Sequence, residues 1–147
     1  MTRRLLRLLL MLTCVSALVA LTPLGARAQG TVTITVGATG TLQANGVVAI
    51  VPVEITCGPL EVDSRFTMAD AQLTQAVKRQ IAQGFGSPDQ PIVCDGTPHA
   101  NTFTVLASAT GPPFRKGDAA VRIFVTVGNE TECCISGSSG IQTIRLR

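Results

Sequence analysis

Phe66-Thr67-Met68-Ala69-Asp70-Ala71-Gln72-Leu73-Thr74-Gln75-Ala76-Val77-Lys78-Arg79-Gln80-Ile81-Ala82-Gln83-Gly84-Phe85 is the stretch on which the fold class turns. Read as a helix, it stacks Ala69, Leu73, Ala76, Val77, Gln80 and Ile81 into one stripe, is rich in the helix formers Ala and Gln, and meets a stop at Gly84. Read as strands, alternation offers Leu73, Val77, Ile81 and Phe85, with a turn at Lys78-Arg79 that no Asn-Gly marks. Local propensity favours the helix. The rest of the chain favours strands, because strand patterns flank the stretch on both sides at spacings of roughly 8 to 12 residues with turn signals between them.

On the N-terminal side, Thr31 to Val36 alternates hydroxyl and apolar residues, placing Val32, Ile34 and Val36 on one face, and Gly37 and Gly40 end that strand. Val47 to Thr56 is rich in β-branched residues, with Val47, Ala49, Val51, Val53 and Ile55 on one face. Its Pro52 points to an edge or a bulge, and the strand stops at Cys57 before a Gly58-Pro59 turn. On the C-terminal side, Ile92-Val93-Cys94 is a short strand running into the turn Asp95-Gly96-Thr97-Pro98, and Thr102 to Leu106 resumes. Gly111-Pro112-Pro113-Phe114-Arg115-Lys116-Gly117 is a loop, since tandem prolines donate no ladder hydrogen bonds. Ala119, Val121, Ile123, Val125 and Val127 then alternate with Ala120, Arg122, Phe124 and Thr126 in the clearest strand of the chain. Gly128 to Gly140 reads as polar loop, and the closing strand turns Ile144 and Leu146 inward.

The N-terminus changes the meaning of the charge. Arg3, Arg4 and Arg7 precede a Leu-rich apolar run, Leu8 through Leu21, and Pro23 and Gly25 lead to Ala26-Arg27-Ala28, a small-x-small cleavage site. This is the three-region pattern of a secretory signal peptide over residues 1–28, with Cys14 an apolar filler discarded with it. The formal charge of +3 contains four of those arginines, so 12 − 4 = 8 basic against 9 acidic residues leaves the mature chain near −1. With so few cations over so many acids, and only 3% aromatic residues without Trp or Tyr, a nucleic-acid partner is not expected. No membrane association is expected once the leader is gone. Residues 29–147, about 119 in number, suit a single domain able to bury roughly 65% of its unfolded surface.

Export implies an oxidising compartment, and four cysteines remain: Cys57, Cys94, Cys133 and Cys134. Four allow three connectivities, and a bond between sequence neighbours closes a strained eight-membered ring. We expect Cys57–Cys94, closing a loop worth about 3–4 kcal/mol in the chain-entropy account. For Cys133 and Cys134 three readings stand: a vicinal disulfide, two thiols, or a link to another chain. Neither Cys-x-x-Cys nor a second histidine is present, so neither a redox motif nor a metal site is expected.

A resemblance rests on the strand ending in Cys57-Gly58-Pro59, on Gly84-Phe85-Gly86-Ser87, on Val93-Cys94-Asp95-Gly96-Thr97-Pro98-His99, and on Pro113-Phe114-Arg115-Lys116-Gly117-Asp118-Ala119 before the long strand. Taken together over residues 31–147, they make the chain resemble small secreted bacterial immunoglobulin-like β-sandwich domains of unassigned function. The resemblance implies that Phe66 to Phe85 is a strand pair, and hence an all-β fold, a disulfide-stabilised immunoglobulin-like sandwich of about seven strands. Adjacent Cys133-Cys134 departs from the spaced second cysteine pair expected of such a domain.

Candidate chemistry is sparse. Any Ser-His-Asp hydrolase must use His99, the only histidine, with Asp95 nearby, but Cys94-Asp95-Gly96-Thr97-Pro98 already reads as a turn and no Gly-x-Ser-x-Gly elbow exists. Paired carboxylates drawn from Glu54, Glu61, Asp63 and Asp70 lack the aromatic platforms sugars need. No catalytic residue and no cofactor is therefore expected. Asn129-Glu130-Thr131 is a glycosylation sequon in a loop. Phe114, Arg115 and Lys116 form an apolar and cationic knob at a sandwich end, where such scaffolds place contacts, and are the expected partner loop. The expected function is a secreted, noncatalytic interaction or structural module whose partner is a protein or cell-surface component. The alternatives are a small-molecule carrier resembling neocarzinostatin-type apoproteins in size, export and four cysteines, and a secreted hydrolase using His99.

Overall fold

The computed structural model describes residues 30–58, 66–128 and 134–147. The leader, Pro59, Glu61, Asp63, the sequon at Asn129 and Cys133 lie outside the described residues. Among the described residues nine strands follow one another: β1 (Val32–Val36), β2 (Thr39–Gln43), β3 (Val48–Cys57), β4 (Phe66–Val77), β5 (Gln80–Pro88), β6 (Pro98–Ala107), β7 (Gly117–Gly128), β8 (Ile135–Ser138) and β9 (Gln142–Leu146). A short 3-10 turn, Ala44–Gly46, joins β2 to β3, and no α-helix occurs among the described residues.

The disputed stretch is a hairpin. Val77 pairs with Gln80 across Lys78-Arg79, and the register runs unbroken to Ala71↔Gly86. Only half of the expected alternation survives: Leu73 is buried, but Ile81 and Phe85 are 53% and 60% exposed. The cause is the two-residue turn. Partners across this ladder always sum to an odd number, so inward odd positions on β4 face inward even positions on β5, namely Ala82 and Gly84.

Hydrogen bonding does not divide into two facing sheets. It runs continuously through β3, β2, β9, β7, β4, β5 and β6 and back to β3, closing a seven-strand barrel where a sandwich was expected. All pairs are antiparallel except β2 with β9. β1 and β8 lie outside the ring, on β3 and β7, with Gly137 against Val32. Closure at the β5–β6 corner depends on Gly84, where a Cβ would collide with the Leu106 carbonyl oxygen and stand 2.8 Å from Phe114 Cζ.

The inward faces of β3 and β7 supply nearly half of the core, Ala49 to Cys57 and Ala119 to Val127 at every second residue, joined by Leu73, Phe103, Val105, Ile144 and Leu146 among others. Pro52 is not on an edge strand, since β3 is paired on both sides. It falls where β1 gives way to β2: five steps from Val36 to Thr41 oppose three from Val53 to Ile50, so the ladder breaks beside the residue that cannot donate.

Three further expectations are corrected. Ile92-Val93-Cys94 joins no ladder, although Ile92 is buried. Gly40 does not end a strand but lies within β2, and the expected loop from Gly128 to Gly140 contains β8. Neither β2 nor β8 has an apolar alternation of its own. Each forms because a longer neighbour, β3 or β7, presents an open row of backbone donors and acceptors.

Candidate functional site

At one end of the barrel, Cys57 at the close of β3 is bonded to Cys94, with Cα atoms 4.8 Å apart and a sequence separation of 37. The bridge holds the segment between β5 and β6 against β3. Gly96 N–H donates to the Cys57 carbonyl at 2.9 Å, and Asp89 accepts from the Thr102 and Thr104 hydroxyls at 2.7 and 2.6 Å. Gly96 takes φ +85°, which the tight turn requires.

His99, the sole histidine, lies at the start of β6 beside this turn, paired with Ile55. Asp95 Oδ1 accepts the Thr97 backbone N–H at 2.8 Å and the Thr97 hydroxyl at 2.7 Å, and lies 2.9 Å from His99 Nε2. The Thr97 hydroxyl and backbone N–H, followed by His99, hold the Asp95 carboxyl far below the ordinary carboxylate range. A nucleophilic triad needs the acid on one imidazole nitrogen and the hydroxyl on the other. Here carboxylate and hydroxyl both meet Nε2, Thr97 lying 3.2 Å from it, and the hydroxyl proton is directed to Asp95 rather than to a base. The cluster clamps a turn.

Beside it, a shallow groove of about 470 Å³ runs between β1 and β6 and is lined by Thr35, Pro52, Glu54, Gln90, Asn101 and Thr102. It opens to solvent, whereas sites for small ligands typically enclose about 70–90% of the ligand surface. Glu54 faces solvent, as its place in an apolar alternation requires, and Asp70 is likewise exposed on β4.

The opposite end carries the expected partner loop, and one of its three residues is elsewhere. Phe114 is fully buried, closing the barrel over Gly84 instead of projecting as an apolar knob, and its Cζ lies 2.8 Å from where a Cβ at position 84 would stand. Arg115 and Lys116 remain exposed. Gln75, a buried polar residue on β4, pins the loop. Its Oε1 accepts the Arg115 N–H at 2.8 Å, and its amide nitrogen donates to the carbonyls of Arg115 at 2.7 Å and Asp118 at 3.3 Å. Phe114 N–H donates to the Gly46 carbonyl at 2.9 Å, tying the loop to the far side of the barrel mouth.

This anchoring brings Arg115 and Pro112 to the tip of the β4–β5 hairpin, where they line a concavity of about 470 Å³ with Val77, Lys78, Arg79 and Gln80. The sequence marks Lys78-Arg79 only as a turn, and Gln75 carries no local signal of its place beneath a loop forty residues away. Cys134 is exposed with φ +49°. Among the described residues, no group of three His, Cys, Asp or Glu side chains is placed to hold a metal. Searches of family models, curated proteins and solved structures find no match to the chain.

Proposed function

We propose that the protein is a secreted, noncatalytic interaction module of immunoglobulin-like organisation, whose partner is a protein or cell-surface component and not a nucleic acid. Strand order supports the classification: β3, β6, β5 and β4 lie in Greek-key sequence, and the first strand divides into β1 and β2, paired to β3 and, in parallel, to β9. The leader pattern and the Cys57–Cys94 bridge support export.

The observation that carries the noncatalytic reading is the engagement of His99. Its Nε2 is shared between Asp95 and Thr97 in a turn built around the carboxylate, which leaves the imidazole no hydroxyl to activate. The groove over β3 is what favours the carrier as a second reading. One experiment separates them: a native, non-reducing mass spectrum of the protein recovered from culture medium. A bare chain beginning at Gln29 is expected. Excess mass lost on denaturation would transfer the assignment to the carrier, and a hydrolytic activity abolished by His99→Ala would transfer it to the hydrolase.

A further inference from the structure

We infer that the end of the barrel opposite the disulfide is a docking surface for an anionic lipid bilayer. The inference deepens the proposed function by naming the cell-surface component, and it replaces the expectation of no membrane association, which rested on removal of the leader.

Net charge hides how the charges are placed. The hairpin tip, the loop before β7 and the chain end after β9 all lie at one end, and six of the seven described cations lie there: Lys78, Arg79, Arg115, Lys116, Arg145 and Arg147. Asp118 is the one described acid on that rim, and it faces Arg145 at 3.9 Å. The other four, Glu54, Asp70, Asp89 and Asp95, occupy the half toward the disulfide.

Within the rim, like charges are neighbours. Lys78 and Arg79 follow each other at the hairpin tip, as Arg115 and Lys116 do in the loop, and Arg147 follows the last paired residue of the β7–β9 ladder. Lys78 occupies φ +55°, a turn position that ordinarily takes Gly, Asn or Asp. The Gln75 clamp and buried Phe114 fix the backbone at Arg115 against the barrel, so the exposed Arg115 and Lys116 side chains start from an ordered loop. Val47 and Ile81, 48% and 53% exposed, add apolar side chains at the same end. Cations with interspersed exposed apolar groups are the composition that seats a protein in the headgroup layer.

A planar partner fits better than a linear polyanion. Only Lys78, Arg79 and Arg115 share a concavity; Lys116, Arg145 and Arg147 lie beyond it along the rim, and the chain has no Trp or Tyr to stack against a polymer. An extended negative surface attracts the basic end and repels the acidic one, so both halves of the charge distribution favour the same end-on pose.

The test uses protein recovered from culture medium and sedimented with vesicles of phosphatidylcholine alone or with one-third phosphatidylglycerol. Phosphatidylglycerol should increase binding, and high salt should reverse the gain. Combining Lys78→Gly, Arg115→Gln and Lys116→Gln should weaken that binding about a hundredfold, from roughly fivefold per basic residue at an anionic surface. The variant should melt no lower than the parent, because glycine relieves the positive φ at position 78 and the Gln75 clamp uses only the backbone of Arg115. Arg122→Gln, away from the rim, should bind as the parent does.

No gain from phosphatidylglycerol, a triple variant that binds like the parent, or capture of soluble polyphosphate without vesicle binding would each overturn the inference. A retained leader would overturn the exported-module reading alone: it promotes binding to both vesicle types, while the difference between parent and triple variant still reads the rim.

Discussion

Asp95 makes the fold depend on acid through one oxygen atom. Its folded-state pKa lies below the unfolded value near 3.8, so the carboxylate contributes stability that is fully present above that value and is lost as pH falls through the folded pKa. Asp95→Ala should therefore lower the thermal midpoint at neutral pH. Its deficit against the parent should shrink on acidification below about pH 4, as thermal scans across pH would show. Phe114 is the second decisive residue. Fully buried above Gly84, it should cost about 3–5 kcal/mol in urea unfolding when replaced by Ala, whereas an exposed knob would change stability by no more than about 0.5 kcal/mol. The Pro112-Pro113-Phe114-Arg115 segment shows a loop and a large apolar side chain, but nothing in it says on which side of the loop the ring falls. That depends on the space beside Gly84, thirty residues away.

The β4–β5 hairpin and the loop it supports act as one element. Gln75 is buried because its amide replaces ladder partners for Arg115 and Asp118, so Gln75→Leu should leave the Arg115 N–H and carbonyl unpaired and cost about 2–3 kcal/mol by urea unfolding. Lys78→Gly alone should raise stability by about 1 kcal/mol, since a side chain at φ +55° carries a penalty that glycine does not. A thermal midpoint at or below that of the parent would show that Lys78 bears no such cost. The hairpin also shows where sequence patterns end. β3 and β7 were legible because each alternates over nine or more residues with one face fully apolar. The hairpin was legible as a strand pair only from its neighbours, and the inward face of β5 was not, because parity across a turn depends on the number of turn residues.

At the scale of the whole molecule, the disulfide and the ring of strands divide the work of holding the ends. Removing the bridge with Cys57→Ala and Cys94→Ala together should cost about 4 kcal/mol in urea unfolding, the loop-entropy value for this separation. The loss should concentrate at the acidic end, and hydrogen exchange should speed in residues 89–97 while the Phe114 loop stays protected, since that loop is anchored by Gln75 and Gly46 instead. Uniform acceleration over both ends would mean that the barrel opens only as a unit.

The sequence by itself determined the leader pattern, the β-rich rhythm and the faces of β3, β7 and β9, because each is written in residues close together or in a two-residue period, and it limited the cysteines to three connectivities, of which the expected Cys57–Cys94 bond is present. Tertiary structure alone decided that the sheet closes, that β2 and β8 exist, that Phe114 turns inward, and that the cations share one end. These depend on which strand finds which neighbour, a matter of long-range register and close approach at Gly84 that no local period records.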